Sequence, residues 1–121
     1  KEVKMKKILV IGSLNMDYSI QLERRPKTGE TVKAKEYINS EGGKGANQAY
    51  TIGKLGGNVD MIGAVGEDEN GNKLKSNLES VNVDISAIET IKETQTGTAF
   101  ITVDKTGDNS IIIIAGANRK S

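Results

Sequence analysis

Two stretches of this chain combine residues that could grip a small polar molecule. They are the pair Asn15 and Asp17, and the octet Gly42-Gly43-Lys44-Gly45-Ala46-Asn47-Gln48-Ala49. A glycine costs about 1 kcal/mol relative to alanine inside a helix, so three glycines in four positions belong at a helix entrance. There the first N–H groups of the helix point outward and the backbone can approach a ligand closely. Lys44 lies at the positive end of the helix dipole, a mismatch of about 0.3–1 kcal/mol. Two local rules broken in one place point to a functional site, here a pocket for a small polar ligand. Each feature also has a plainer reading: the octet as a tight strand-to-helix connection, Asp17 as a turn residue, Lys44 as a solvated lysine.

Composition limits what that site can do. The 121 residues carry 17 Lys and Arg against 16 Asp and Glu, a net charge of +1, with both signs interspersed along the chain. Neither nucleic acid nor an anionic membrane is expected as partner. One Phe, three Tyr and no Trp leave little for base stacking. There is no Cys and no His. Disulfides, thiolate metal sites and histidine-based triads are therefore excluded, and a reducing, cytoplasmic location fits. No apolar run approaches the ~20 residues needed to span a bilayer. Met5 ahead of Lys6-Lys7-Ile8-Leu9-Val10 looks like a natural start, so residues 1–4 are expected to be a cloning remnant or an upstream extension.

The elements that must position these residues follow from the apolar pattern. Ile8 to Gly12 has the form of a strand buried on both faces of a parallel sheet. Asn15 and Asp17 lie just past its carboxyl end, the edge at which open α/β sheets bind ligands. Tyr18–Leu22 is predicted as a second, more exposed strand, Pro26-Lys27-Thr28-Gly29 as a turn, and Glu30–Ile38 as extended again. Ala46, Ala49, Tyr50, Ile52 and Leu55 fit a helix closed by Gly56-Gly57. Asn58–Val65 is a further buried strand. Asp68 caps a helix carrying Leu74, Leu78 and Val81. Ile85–Ile91 leads into a short strand, and Thr96–Val103 with Ser110–Ile114 form a hairpin. Ile111–Ile114 is expected to be sheet packing, since exposure there would risk edge aggregation unless a partner covers it. Glu67-Asp68-Glu69 is expected as a solvated helix start rather than a metal site, and Thr96-Gly97 as the start of a strand rather than a catalytic hydroxyl.

The βαβ portion asks for a parallel sheet covered by helices, with the two extended inserts forming a separate small sheet. Three core strands fall short of the ~5–6 usual in a sheet. No P-loop pattern occurs, and no Gly-x-Gly-x-x-Gly follows the first strand.

The octet resembles the first signature of the PfkB carbohydrate kinase family, in its ribokinase form. Ile11 to Asp17 is similar to that family's first strand and its Asn-x-Asp. Pro26 to Val32 resembles the approach to its lid, and Thr96-Gly97 with Ala115-Gly116-Ala117-Asn118 the second lid ribbon and its exit. The resemblance runs from Met5 onward. It implies an α/β fold, a ribokinase-like Rossmann-type sandwich with a small β-sheet lid, incomplete in this chain. Core would comprise about 5–14, 41–95 and 116–121, and lid about 15–40 and 96–115. It further implies ATP-dependent phosphorylation of D-ribose at its 5-hydroxyl, with Mg²⁺ accompanying ATP, a monovalent cation such as K⁺, and a homodimer formed through the lids.

Carried over residue by residue, the resemblance implies that Asn15, Asp17, Gly43 through its backbone, Lys44 and Asn47 bind the sugar. Ala99 and Ile101 would make apolar lid contacts. A polyol needs donors and acceptors together. Asp17 supplies acceptors, Lys44 donors, Asn15 and Asn47 both. The family's second signature, with its catalytic aspartate and anion hole, has no match here, nor do the nucleotide-binding segments. The chain is therefore expected to carry no catalytic residue and no metal site and to be inactive alone. Two other functions stand beside this one: a sister kinase acting on another sugar or a nucleoside, and a non-catalytic sugar-binding or dimerising module.

Overall fold

The computed structural model describes residues 6–120, so the expectation for residues 1–4 lies outside the described residues. In chain order the elements are β1 (Lys7–Ile11), β2 (Asn15–Gln21), β3 (Glu36–Gly42), α1 (Lys44–Lys54), β4 (Asn58–Gly66), α2 (Glu69–Glu79), β5 (Ile88–Ile91), β6 (Gly97–Val103) and β7 (Asn109–Ile114). A 3-10 helix, Gly116–Lys120, follows. None of the helices is long and apolar enough to cross a membrane among the described residues.

The strands form two sheets. One has three strands in the order β1-β4-β5, all parallel. The other has four in the order β3-β2-β6-β7, antiparallel except for the parallel β2–β6 pair. Val10, Val59 and Met61 of the first sheet pack with Ala46 and Ala49 of α1 and Leu74 and Leu78 of α2 in one core cluster. Leu14 and Met16 join it from the crossing into β2, so the two sheets share a core. Fully burying a side chain of this size stabilises by about 1.5–3 kcal/mol.

Several expectations are corrected. β1 is not buried on both faces: Ile8, Leu9 and Ile11 are exposed, Ile11 by 76%. The strand is an edge of its sheet, and α1 covers only the face that carries Val10. Asn15 and Asp17 are not loop residues but lie within β2. The strand expected over Glu30–Ile38 instead runs Glu36–Gly42, so the octet's first glycine ends a strand. Leu55 is the C-cap of α1 and 82% exposed, not part of its buried face. Ile111–Ile114 are between 40% and 65% exposed, because β7 is an edge strand and neither face of its outer part is covered.

Asp68 is the N-cap of α2, accepting from the Gly71 N–H at 2.8 Å. It does more than cap. Its carboxylate also accepts from the Thr96 N–H at 2.8 Å and from Thr96 Oγ1 at 2.5 Å. Thr96 Oγ1 in turn accepts from the Gly66 N–H at 2.9 Å. One carboxylate thus ties the end of β4, the start of α2 and the approach to β6. Burial alone would push the Asp68 carboxyl up, but the hydrogen bonds from Thr96 and Gly71 bring it below the ordinary carboxylate range.

Candidate functional site

The candidate site sits where the chain crosses between the two sheets. β1 ends at Ile11, and Gly12-Ser13-Leu14 lead into β2. Asn15 and Asp17, two apart on a strand, share one face of the four-stranded sheet. Asn15 stands between two glycines, opposite Gly42 on β3 and Gly97 on β6. Asp17 stands between Ser40 and Ala99, and Ala99 pairs onward with Ile113. The next row along the same face is Ile38, Ser19, Ile101 and Ile111. Polar groups thus lie nearest the helical layer, with an apolar apron of Ala99 and Ile101 beyond them.

The glycines have specific reasons. A Cβ at Gly42 would come within 2.2 Å of Asp17 Oδ2, so the carboxylate occupies the space a side chain would need. Gly43 has φ of 98°, a conformation other residues rarely adopt, and a Cβ there would meet the Ser13 carbonyl oxygen at 2.4 Å. That turn swings the chain from β3 into α1. The Ala46 N–H donates to the Ser13 carbonyl at 3.1 Å, which binds the helix entrance to the β1–β2 crossing. No side chain caps α1, and its first turn holds no acidic residue. Lys44 and Asn47, three apart in the opening turn, are both exposed.

Asn15 and Asp17 thus lie on β2, while Gly43, Lys44 and Asn47 open α1, the helix that follows Asn15's partner Gly42. Ala99 is buried and Ile101 half-buried beside them. Burial pushes the Asp17 carboxyl up from its ordinary value. A carboxylate held partly out of water and leaning over a glycine is primed to accept hydrogen bonds from a ligand. Among the described residues no group of three or more acidic, Cys or His side chains is placed to hold a metal ion. Two hollows lie elsewhere. One, of about 540 Å³, opens near Lys7, Asp60 and Asp84, and another, of about 550 Å³, lies beside Tyr18, Tyr37 and Phe100 on the opposite face of the four-stranded sheet.

Sequence reasoning missed Asn118 as a partner of the site. Its side chain exchanges two hydrogen bonds with the backbone of Leu14: Oδ1 accepts from the N–H at 3.0 Å and Nδ2 donates to the carbonyl at 3.0 Å. Nδ2 also donates to Asn15 Oδ1 at 2.7 Å. Only the stretch Ala115 to Asn118 marked it in sequence, and nothing there tied it to a residue 103 positions earlier.

Comparison with known proteins agrees with this fold. The model of the pfkB family carbohydrate kinases matches residues 5–121. A ribokinase of Bacillus subtilis is 43% identical over 114 residues, covering 94% of this chain and 39% of that protein. The structure of Arabidopsis thaliana ribokinase complexed with ribose and ATP superposes with a TM-score of 0.87 at 37% identity, over 95% of this chain and 38% of that one. A Methanocaldococcus jannaschii nucleoside kinase superposes equally well, with a TM-score of 0.87 at 29% identity, over 94% of this chain and 38% of that one. The chain spans less than two-fifths of the length of the curated relatives it matches. Its α/β architecture is the ribokinase-like fold.

Proposed function

Because this chain belongs to the pfkB family of carbohydrate kinases, we propose that it supplies the sugar-holding part and lid of a ribokinase. The reaction is transfer of the γ-phosphoryl group of ATP to the 5-hydroxyl of D-ribose, giving ribose 5-phosphate. The observation that carries this is the row Gly42–Asn15–Gly97 with Asp17 beside it, set against the glycine-opened entrance of α1. Such a surface offers donors and acceptors to adjacent hydroxyls while its glycines let the ring approach the backbone. The Arabidopsis ribokinase complexed with ribose and ATP supports the choice of sugar and nucleotide.

In this reading Asp17 accepts from sugar hydroxyls, Asn15 and Asn47 pair with their neighbours, and Lys44 donates from the helix entrance, as does the Gly43 N–H. Ala99 and Ile101 cover the apolar side of the ring and exclude water. These residues bind and orient. Phosphoryl transfer rests on positioning and charge stabilisation, and the nucleotide-handling groups would come from the further length that the relatives carry. Mg²⁺ would arrive with ATP and serve as its charge-neutralising partner, on residues outside this stretch, as would a monovalent cation such as K⁺. The four-stranded sheet would act as the lid over a core of 5–14, 41–95 and 116–121. A homodimer formed through that lid is supported by the exposed Ile38, Ile111 and Ile113, which share the face of Asp17. A cytoplasmic location fits the absence of cysteine.

Turnover of the full-length protein on a panel of pentoses, hexoses and nucleosides, with ATP, tests the assignment. Preference for D-ribose supports it. The nucleoside kinase superposition favours a second reading, a sister kinase of the same family, and preference for a nucleoside or fructose would replace the first reading with it.

A further inference from the structure

Asn118 stands where the chain leaves β7, and Leu14 and Asn15 stand where it leaves β1 for β2. Its side chain therefore joins the exit from β7 to the crossing from β1 into β2. The backbone of Leu14 fixes how its amide must face. An N–H can only donate and a carbonyl can only accept, so Oδ1 takes the Leu14 N–H and Nδ2 gives to the Leu14 carbonyl, each at 3.0 Å. The second hydrogen of Nδ2 then falls on Asn15 at 2.7 Å, and Asn15 has to present its oxygen there. The usual ambiguity of an asparagine amide is removed by this chain of necessity.

Gly97 gives an independent sign that the contact is built in. A Cβ at that position would lie 2.2 Å from Asn118 Nδ2 and 2.5 Å from Asn15 Oδ1. The start of β6 thus lacks a side chain where the two amides meet. The 3-10 helix carrying Asn118 is held in its own right, by the Ala117 N–H to the Gln95 carbonyl at 2.9 Å and the Asn118 N–H to the Ala115 carbonyl at 3.1 Å.

We propose that Asn118 is a positioning residue that sets the polarity of the sugar site, by engaging the carbonyl oxygen of Asn15 and leaving the Asn15 amide hydrogens for the ligand. This rests on the sugar-site reading of Asn15 and Asp17. Asn15 then faces the ligand as a donor, and Asp17, on the same face, as an acceptor. The match is a polyol whose one hydroxyl accepts from Asn15 while its neighbour donates to Asp17. Because Asn118 closes the exit of the four-stranded sheet, the same contact links the lid's root to the orientation of a ligand group.

The test is a double-mutant cycle in the full-length protein, with D-ribose and ATP affinities measured by titration calorimetry and melting temperature recorded for each variant. Asn118→Asp keeps the shape but has no N–H to give, so Asn15 turns its amide hydrogens toward residue 118 and its oxygen toward the ligand. Ribose affinity is expected to fall about tenfold or more, a loss typical of a buried polar group left unpaired, while ATP affinity holds. In an Asn15→Ala background the same change is expected to have little further effect. Gly97→Ala provides a second route if Asn118→Asp does not fold, and should give the same selective loss. Unchanged ribose affinity in whichever of these variants folds, or losses that simply add to that of Asn15→Ala, would overturn the proposal while Asn15→Ala alone still weakens ribose. If Asn15→Ala itself leaves ribose binding intact, the sugar-site reading falls and this proposal falls with it.

Discussion

The carboxylate of Asp17 lies over Gly42 on the neighbouring strand, and a methyl group at Gly42 would come within 2.2 Å of its Oδ2. The first glycine of the octet therefore exists for a side chain of this chain as much as for a ligand. Its neighbour Gly43 then makes the turn into α1 with φ of 98°. Acceptor and helix entrance are brought together by these two adjacent residues.

Gly42→Ala is expected to move the Asp17 carboxylate and leave the fold standing, because the far end of a side chain gives way more easily than backbone. In the full-length protein, ribose affinity should fall about tenfold or more with ATP affinity unchanged. Titration of both ligands checks this. An equal loss for both would mean that the substitution disturbs the whole domain.

Asp17 also has a cost in stability. Burial raises its carboxyl pKa in the folded protein, so the folded state holds that proton more tightly than the unfolded chain does. The penalty is absent below the unfolded pKa of about 3.9 and grows as pH rises through the folded value. Asp17→Asn is therefore expected to raise the melting temperature at neutral pH, with the gain vanishing below about pH 3.9, while ribose binding is weakened. Melting curves across pH give the comparison. A variant less stable than the parent at neutral pH would contradict the burial argument.

Asp68→Ala should be costly well away from the ligand. It removes the cap of α2, about 0.5–2 kcal/mol, and strips buried Thr96 of two partners, about 1–3 kcal/mol for a group left unsatisfied. Denaturant unfolding should show a loss within the span of those terms, whereas a loss below about 0.5 kcal/mol would mean that water replaces the carboxylate. Since the folded Asp68 carboxyl lies below its ordinary value, its contribution is present above the unfolded pKa and fades as pH falls through the folded one.

Glu30 gives a local check on the segment before β3. Arg24 holds it at 2.5 and 2.6 Å and the Lys27 N–H at 2.9 Å, which lowers its carboxyl pKa to about 2. Hydrogen bonding to Arg24 is the main cause. NMR titration should find Glu30 ionised well below its ordinary range and moving back toward it in Arg24→Ala. The turn it closes is fully held above the ordinary glutamate pKa and released as pH falls toward about 2.

Much of this was legible in the sequence where a local pattern decides the outcome. The helix behind the octet, the Asp68 cap and the hairpin of β6 and β7 each follow from short-range rules of spacing, capping and turns. What escaped depends on contacts far apart in sequence. The apolar run Ile8–Ile11 has the same composition whether both faces are covered or one, and only the edge position of β1 leaves Leu9 and Ile11 open. Ile111–Ile114 misled in the same way, being an edge strand. Asn15 and Asp17 were visible as a polar pair past a strand, yet their place inside β2 required pairing with Gly42 and Gly97. Asn118 was invisible as a partner, since no spacing rule links residues so far apart.

The most direct measurement is the affinity of the full-length protein for D-ribose and for ATP, in the parent and in Asp17→Ala. Removing a charged hydrogen-bond partner is worth about 1.5–3 kcal/mol, roughly 10- to 150-fold in affinity. The expected result is a ribose affinity weakened by that factor with ATP binding retained. Ribose binding unchanged by Asp17→Ala, or ribose and ATP lost in equal measure, would contradict the assignment of this face to the sugar.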